Sequence, residues 1–524
     1  MKKIFTLIMT VACSALTAWA TDYTVPVTVA INGAEMDGGN ATLSVTEEDG
    51  STTLSLMNFS LGGLGVVGDI ILPDVETVQC GSTQSLHSQK TIKITSDDPS
   101  AMGPKLGDVP VLMNAEIKGG KFNAILAINM VSLGYVVGVK LGDAPNNIGH
   151  IANGDFTKYH DVSCKYLFKT YNSVEPNAWH SFMTATGNLA GSVNYLTRVE
   201  KCADNHAGKD DDYSVKISSN VVLSISANGT ITTGRLAATS MNAEENYSYL
   251  DMNSTDVDSN GDPYYTVLTG KPDAVKIWVK YHVGARDDKN KDNVFALASA
   301  YITDGNVFHD PDGAYKNYVA SANQKIGSNN DAWQELTIPF VPNENATVSP
   351  KALLVTLSTC AVPAGGSKTS DDPDVLYVDD IKLVYNAELS SLKFKNQELT
   401  LDKDNFATVT LGDDETFTDA DISVTSNGVG AYVIVSPLTY DAKENTTQAV
   451  ITVISNDLQT SNMYGLIVQG GKLVTTGVEK PSISGSKQVT GIYNLNGQRV
   501  NEQVKGQVYI TKYADGSTVK TIGK

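Results

Sequence analysis

The sequence has none of the motifs that mark the commonest catalytic and metal sites. It contains no G-x-S-x-G, no H-E-x-x-H and no phosphate-binding loop, which excludes the serine-hydrolase, zinc-protease and P-loop classes that carry them. Its five cysteines are not spaced as C-x-x-C, so a zinc-finger type of site is excluded as well. Seven histidines are scattered along 524 residues, and no spacing among them points to a base or a ligand set.

Long helical patterns of Leu, Ala, Glu and Lys are also missing, whereas Val, Thr, Ser, Tyr, Gly and Asn are abundant. That composition favours β-strands and predicts an all-β protein. After the first twenty residues no stretch approaches about 18 uninterrupted apolar residues, so no membrane span is predicted. A chain of 524 residues is too long for one core and should form several domains.

Basic residues are outnumbered by acidic ones. The chain has 39 Lys and Arg against 58 Asp and Glu, a formal charge of -19. A negative field repels phosphate backbones, so nucleic acid is a poor candidate partner. Neutral glycans and divalent cations remain compatible partners.

Residues 1–20 have the pattern of a signal peptide. Lys2 and Lys3 precede an apolar run from Ile4 to Leu16, and Ala18-Trp19-Ala20 forms a small-x-small cleavage site. Cys13 raises the alternative of a lipoprotein, but MTVAC lacks the large aliphatic residue expected three positions before a lipidated cysteine. The pattern predicts export to the periplasm, the outer surface or the medium, with the cell surface favoured.

Export permits disulfides among the four remaining cysteines, Cys80, Cys164, Cys202 and Cys360. Cys164 with Cys202 is the predicted pair, although spacing alone cannot fix the connectivity. The alternative is a set of isolated buried thiols.

Residues 21–145 are predicted to form about eight short strands, the number of an up-and-down barrel. Asn32-Gly33, Asp49-Gly50 and Gly119-Gly120 are turn dipeptides between the strand patterns. The segment resembles the calycin-like β-barrel domain of secreted bacterial proteins in YTVPVTVAINGA, TTLSLMNFSL, VGDIILPDV and LGYVVGVKLGD. The resemblance implies a barrel that either encloses an apolar ligand or is filled by its own side chains.

Residues 149–386 alternate strand patterns with irregular polar connections, which predicts a large antiparallel sandwich of the jelly-roll type. The segment resembles the family of exported bacterial proteins named "putative carbohydrate metabolism domain" (PCMD). The matching stretches are NGDFTKYH, EPNAWHSF, TITTGRL, AVKIWVKYH, AWQELTIPF and LYVDDIKLVYN. The resemblance implies a fold like that of carbohydrate-binding jelly rolls.

The remaining residues are predicted to form an immunoglobulin-like sandwich over 387–477, a linker over 478–487 and a small β tail over 488–524. The sandwich is expected to act as a spacer. The tail resembles the end of the C-terminal sorting domains used in type IX secretion, through its Asn496-Gly497 turn, KGQVYI and basic end.

The tryptophans supply the candidate glycan contacts. Trp278 and Trp333 lie within strand patterns and are expected in the core. Trp179 follows the turn-like VEPNA, and with its neighbour His180 it is the predicted carbohydrate-binding pair. An aromatic ring has an apolar face that can stack on the CH groups of a sugar.

Strict alternation along VLYVDDIKLVY, residues 375–385, places Asp379 within an apolar stripe, where an unpaired carboxylate is costly. The first and last strands of many carbohydrate-binding jelly rolls share a structural calcium. That resemblance implies that Asp155 meets Asp379 or Asp380 around such a cation. The alternative is a carboxylate that accepts backbone N–H bonds at a strand bulge.

A second candidate for calcium is DVDSNG, which places Asp256, Asp258 and Asn260 at alternate positions before Gly261. Val267 occupies the twelfth position, where an EF-hand has Glu, so an EF-hand is excluded. A calcium loop of another kind and an acidic surface loop are the two interpretations.

These observations predict an exported, multidomain β protein that binds or handles glycans through its jelly roll without covalent chemistry. One alternative is a glycoside hydrolase or related enzyme on the same sandwich, which needs two carboxylates about 5 to 9.5 Å apart. A structural surface or adhesin-like protein is the other.

Overall fold

The computed structural model describes residues 19–31, 34–60, 65–130, 135–196, 198–222, 224–310, 314–474, 489–493, 499–500, 508–513 and 518–522. Over these residues the protein is almost entirely β-structure, and its one α-helix, α1, covers Ala190–Val193. The predicted all-β class is confirmed. Most of the predicted leader and the whole predicted linker lie outside the described residues. Short 3-10 helices cover Gly103–Lys105, Pro145–Asn147, Phe182–Thr184, Ala243–Glu245 and Asp419–Asp421.

Within the described part of the chain, no helix has the length and apolar character needed to cross a bilayer.

The first domain consists of nine strands in one antiparallel sheet. The strands are β1 (Trp19–Ile31), β2 (Ala34–Glu48), β3 (Ser51–Ser60), β4 (Val66–Leu72), β5 (Glu76–Cys80), β6 (Thr83–Lys93), β7 (Asp108–Lys118), β8 (Lys121–Met130) and β9 (Tyr135–Leu141). Their order in the sheet is β4-β3-β2-β1-β9-β8-β7-β6-β5. Asp49-Gly50 and Gly119-Gly120 turn their hairpins with positive φ, as turns of this kind require.

The two edges of this sheet approach each other. Asp69 of β4 pairs with Thr95, which follows β6, and the Val75 N–H donates to the carbonyl of Thr52 at 2.8 Å. The sheet therefore wraps around one apolar core. Its most deeply buried side chains include Leu43, Leu54, Ile70, Leu86 and Phe122.

The second domain carries nineteen strands. They are β10 (Tyr159–Tyr166), β11 (Lys169–Pro176), β12 (His180–Ser181), β13 (Val199–Cys202), β14 (Ser214–Ser218), β15 (Asn220–Val222), β16 (Ile225–Ala227), β17 (Thr230–Thr232), β18 (Arg235–Ala237), β19 (Tyr247–Leu250), β20 (Thr266–Val267), β21 (Ala274–His282), β22 (Ala296–Thr303), β23 (Phe308–Asp310), β24 (Tyr318–Ile326), β25 (Gln334–Pro339), β26 (Val341–Pro342), β27 (Ala352–Ser358) and β28 (Val375–Val384).

Two antiparallel sheets of this domain pack face to face. One is seven-stranded, in the order β12-β17-β27-β22-β24-β26 with β20 beside β27, and the other is five-stranded, β13-β14-β28-β21-β25. Alternate residues of each strand point into the shared core, as the pleat dictates. The inward side chains include Ile277, Val279 and Tyr281 of β21 and Val355 and Leu357 of β27. A sandwich is the observed arrangement.

Smaller elements cover the outer face of the seven-stranded sheet and its ends. They are the hairpins β10-β11 and β15-β16, the three-stranded sheet β18-β19-β23, and α1. The hairpin β15-β16, the sheet β18-β19-β23 and α1 contribute to the walls of the pocket described below.

The third domain and the C-terminal segment are also β-structure. Strands β29 (Leu389–Phe394), β30 (Gln397–Glu398), β31 (Phe406–Thr410), β32 (Thr416–Phe417), β33 (Ile422–Ser426), β34 (Tyr432–Val435), β35 (Thr439–Asp441), β36 (Thr446–Ile454), β37 (Ser461–Gln469) and β38 (Lys472–Leu473) form the third domain. They surround a small core that includes Leu392, Phe417, Ile451 and Leu466. The segment beyond it is the antiparallel sheet β39 (Val489–Tyr493), β40 (Val508–Tyr513) and β41 (Thr518–Ile522).

The third domain packs on both preceding domains. Ile454 and Leu458 join Leu112, Ile125 and Ile148 in one apolar cluster. Polar contacts also join the domains. The Asn114 side chain donates to the carbonyl of Asn456 at 2.9 Å, and the Val429 N–H donates to Asp273 at 2.7 Å. The third domain is therefore packed against the other two domains.

Candidate functional site

A pocket of about 520 Å³ lies on the outer face of the seven-stranded sheet, and we call it the outer pocket. In β22 and β27, Ala298 and Leu357 point into the sandwich core. Their neighbours Ser299 and Thr356 therefore point outward, because side chains alternate along a strand. These outward residues form the floor of the pocket.

The floor is rich in hydroxyl groups. Ser299 Oγ donates to Asp310 Oδ2 at 2.5 Å, and the hydroxyls of Ser248 and Thr356 lie 2.5 Å apart. Asp310 is 6% exposed, and burial raises the pKa of its carboxyl. A raised pKa favours the neutral acid, which can donate as well as accept a hydrogen bond.

The walls of the outer pocket are largely apolar. Phe182 and Leu189 lie beside α1, while Leu236 and Tyr247 come from β18 and β19. The Tyr247 ring stacks on His309 with centroids 3.9 Å apart. A concave site with apolar walls and a few fixed polar groups is typical of small-ligand binding.

Arg198, which immediately precedes β13, also lines this pocket although it is only 2% exposed. Its guanidinium lies over the Phe182 ring at 4.6 Å, and Nη1 donates to the carbonyl of Asn228 at 3.2 Å. Its Nε and Nη2 atoms are buried without a hydrogen-bond partner. Burial lowers the pKa of Arg198 to about 10, so it stays protonated at neutral pH.

The tryptophans occupy the reverse of their predicted places. Trp179 has no exposed surface; its ring packs on Phe156 and its indole N–H donates to the carbonyl of Ala152 at 3.2 Å. It therefore offers no ring face to a glycan in this structure. Trp278 and Trp333 lie half-buried on the outer side of the five-stranded sheet, not in the core as predicted.

His180, the other predicted glycan contact, is fully buried and lies in a cluster with Asp258. The Nε2 atoms of His180 and His160 each lie 3.3 Å from Asp258 Oδ2. We call these three residues the histidine cluster. None of them lines the outer pocket. The buried position of His180 gives it no contact with a ligand in that pocket.

Two carboxyls in and beside the histidine cluster are shifted in opposite directions. Burial would raise the pKa of Asp258, but hydrogen bonds from His180 and from the backbone of Asp262 outweigh it and hold the pKa below its usual range. Burial raises the pKa of Glu175, although the Ser181 N–H donates to it at 2.7 Å. Asp258 is therefore a charged hydrogen-bond acceptor, whereas Glu175 tends toward its neutral form.

The predicted calcium loop is held by protein contacts. Asp258 Oδ1 accepts the backbone N–H groups of Asn260 and Asp262, both at 2.8 Å. Asp256 pairs with Arg235 at 3.2 Å, and the Asn260 amide donates to Asp262 at 2.8 Å. Each of the three predicted ligand side chains thus has a protein partner in this arrangement.

Asp379 lies at a bulge in β28. Asp379 pairs with Trp278 and Lys382 with Lys276, so two residues of β28 oppose only Ile277. Asp380 takes the positive φ of 43° there. The extra residue shifts the alternation, so that Leu376 and Val378 point into the core before the bulge, and Ile381 and Leu383 after it.

Asp379 therefore follows the alternation of Leu376 and Val378 onto the outer face, where His206 covers it, and the bulge returns Ile381 and Leu383 to the core. Its Oδ2 accepts the His206 backbone N–H at 3.0 Å and lies 2.9 Å from Nδ1 of the same residue; its Oδ1 accepts the Asp380 N–H at 2.9 Å. Backbone donors at a bulge, the second of the two predicted explanations, account for this burial. NGDF does meet the strand, since the Ile381 N–H donates to the carbonyl of Gly154 at 2.9 Å, but Asp155 contacts Thr157 instead.

Across the described residues, no group of three or more His, Cys, Asp or Glu side chains is placed to hold a metal ion. Calcium binding stays a prediction. The predicted Cys164–Cys202 disulfide is wrong for this structure, because all four described cysteines are free thiols.

Comparison with known proteins gives no family. No family model and no curated protein matches the chain. One similar solved structure is a "putative glycoside hydrolase" from Bacteroides thetaiotaomicron, with TM-score 0.28 and 11% identity over 69% of this chain and 84% of that one. Another is an arabinose-bound GH51 α-L-arabinofuranosidase, MgGH51, with TM-score 0.20 and 12% identity over 45% of this chain and 28% of that one.

Sequence reasoning missed the outer pocket and Arg198. Pocket residues come from segments more than a hundred positions apart, such as Arg198 and Thr356. One signal was available in the sequence. Arg198 is one of few arginines in an acidic chain, and residues 188–197, which precede it, include no Asp or Glu. That signal alone could not show that Arg198 has no acidic side chain beside it in the folded protein.

Proposed function

We propose that the protein binds glycans in the outer pocket and that, as an exported protein, it does so at the cell surface. The observation that carries the proposal is the pairing of a hydroxyl-rich floor with an apolar, aromatic wall in one pocket. A sugar presents hydroxyls at its edge and CH groups on its face, so it can use both surfaces at once. No covalent step is required for such binding.

A glycan array probed with the full chain tests the proposal, with release of reducing sugar measured on the same glycans. Ser192→Trp would place an indole in the pocket wall on α1 and should abolish binding. Asn188→Trp is the matched control, because this neighbouring residue is exposed and does not line the pocket. Silence of the wild-type chain on the array, or equal binding by both variants, would overturn the proposal.

Asp310 favours a second candidate, a glycoside hydrolase acting in the same pocket. A carboxyl whose pKa is raised by burial is suited to act as a general acid. Glu244 is the other carboxyl among the described pocket residues. Release of reducing sugar by the wild type, lost in Asp310→Asn, would establish this activity; binding without release supports the first proposal.

A further inference from the structure

Arg198 is an unusual component of the outer pocket. It is the one basic side chain among the described residues that line it, and it is almost fully buried. Removing a charged group from water is costly unless it is paired and hydrogen-bonded. Two of its nitrogen atoms, Nε and Nη2, have no partner.

Other arginines of the second domain show that this fold supplies acidic partners where an arginine is structural. Arg286 has a side chain only 8% exposed and lies 2.7 Å from Asp374. Arg235 pairs with Asp256 at 3.2 Å. Arg198 has no such ion pair in the described structure, so its charge is left for a group from outside the chain.

The unpaired atoms indicate what that group is. Nε and Nη2 lie along one edge of the guanidinium, and this edge binds a carboxylate or sulfate through two parallel N–H···O bonds. The third nitrogen, Nη1, is already bonded to the carbonyl of Asn228. The side-chain Oδ1 of Asn228 is also buried without a partner and can accept a bond from a ligand hydroxyl.

We infer that the ligand of the outer pocket is an acidic glycan and that Arg198 binds its carboxylate or sulfate group. The inference rests on the proposed glycan binding and adds the chemical class of the sugar. The volume of about 520 Å³ falls within the range of small-ligand sites. Because Nε and Nη2 are shielded from solvent, binding requires a side-chain movement in the pocket wall.

The charge of the buried part of the pocket agrees with an anionic ligand, while Glu244, the other lining carboxyl, is exposed to solvent. The whole chain is acidic, with a formal charge of -19, and would repel an anion without a local cation. Asp310, the carboxyl on the floor, has a raised pKa and tends toward its neutral form. Repulsion between the floor and an acidic sugar is therefore reduced.

Calorimetric titration of the full chain tests the inference with matched oligosaccharides. Oligogalacturonides are compared with their methyl esters, and a sulfated oligosaccharide with its desulfated form, so that the two arms separate carboxylate from sulfate. We expect the acidic member of at least one pair to bind 10-fold or more tightly. Arg198→Lys should lose most of that preference, since it keeps the charge but not the two-donor edge.

Arg198→Met and Arg235→Lys complete the set. Arg198→Met should bind acidic and neutral forms alike and melt at a temperature about 2 °C or more higher, because an unpaired buried charge is removed. Arg235→Lys, outside the pocket, should behave as wild type.

Equal affinity of the wild type for both members of each pair overturns the inference and leaves glycan binding intact. Absence of binding to every oligosaccharide, with no effect of sodium sulfate on the wild-type melting temperature, overturns both.

Discussion

Buried ionisable side chains of the second domain are stabilised in different ways. Asp374 has an ion pair with Arg286 at 2.7 Å, and Asp379 accepts N–H bonds from His206 and from the bulge. Glu175 has only neutral donors in hydrogen-bond contact, from Ser181 and Thr184. Its burial therefore penalises the charged form, and this gives the stability a definite pH dependence.

Replacing Glu175 with Gln tests that dependence. The pKa of Glu175 is raised in the folded state, so its contribution to stability is fully present below the unfolded value of about 4.3 and is lost as the pH rises through the folded value. The neutral amide of Glu175→Gln cannot ionise. We therefore expect the melting temperature of the variant, relative to wild type, to rise from about pH 4 and to level off above the folded pKa of Glu175.

Differential scanning calorimetry of the full chain at several pH values gives this comparison. Glu344→Gln serves as the matched control, since that side chain is exposed, and its difference from wild type should not change with pH. A constant difference for Glu175→Gln would mean that Glu175 ionises in the folded protein as it does in the unfolded chain.

At the scale of secondary-structure elements, the bulge in β28 has structural consequences of its own. Its bulge sets which side chains face the core, and the segment before β10 closes over it through the bond from Ile381 to Gly154. Gly154 is needed there, because a Cβ at this position would lie 2.0 Å from the Ile381 carbonyl oxygen. The join between the start and the end of the sandwich thus depends on a residue without a side chain.

Gly154→Ala should destabilise the second domain by about 1–3 kcal/mol, because overpacking against backbone cannot be relieved by a rotamer change. Gly191→Ala is the control, since no atom lies within 4 Å of a Cβ at that position. The control should lose no stability, since Gly191 lies in α1 and Ala is favoured over Gly in a helix by up to about 1 kcal/mol. Urea unfolding followed by tryptophan fluorescence reports on this domain, which contains Trp179, Trp278 and Trp333. Equal midpoints for the two variants would contradict the close approach.

The three domains together form one packed body. The third domain was predicted to be a spacer, yet Leu458, at 6% exposure, and Ile454 lie in a cluster with apolar residues of the first domain. Asn456 bonds both preceding domains, through the side chain of Asn114 and the backbone N–H of Lys271. We therefore expect the domains to unfold cooperatively.

Leu458→Ala should weaken this docking. Truncating a buried leucine costs about 2–5 kcal/mol, and here part of that loss falls on the contact between domains. Calorimetry should show the third domain separating from the main transition or the joint transition moving down by several degrees. Val435→Ala, at a 39% exposed position of the same domain, should leave the trace unchanged. An unaltered trace for Leu458→Ala would show that the domains are energetically independent.

Much of the fold could be predicted from local patterns. Alternation, turn dipeptides and composition indicated strands and hairpins, and Asp49-Gly50 and Gly119-Gly120 turn as expected. The candidate site could not be predicted in the same way. The predicted pair Trp179 and His180 is buried, whereas Arg198 and Thr356 meet in a pocket through strand pairing over long separations.

The sequence by itself determined that the chain is β-structure and where many strands and turns fall, because those depend on neighbouring residues and on the period of two. The tertiary structure alone decided which face of each strand is covered. Periodicity divides residues into two faces without saying which one meets another sheet, so Trp179 and Trp278 exchanged their expected places. In the same way, only packing shows that Arg198 is buried without an acidic partner, since that depends on residues brought together from distant parts of the chain.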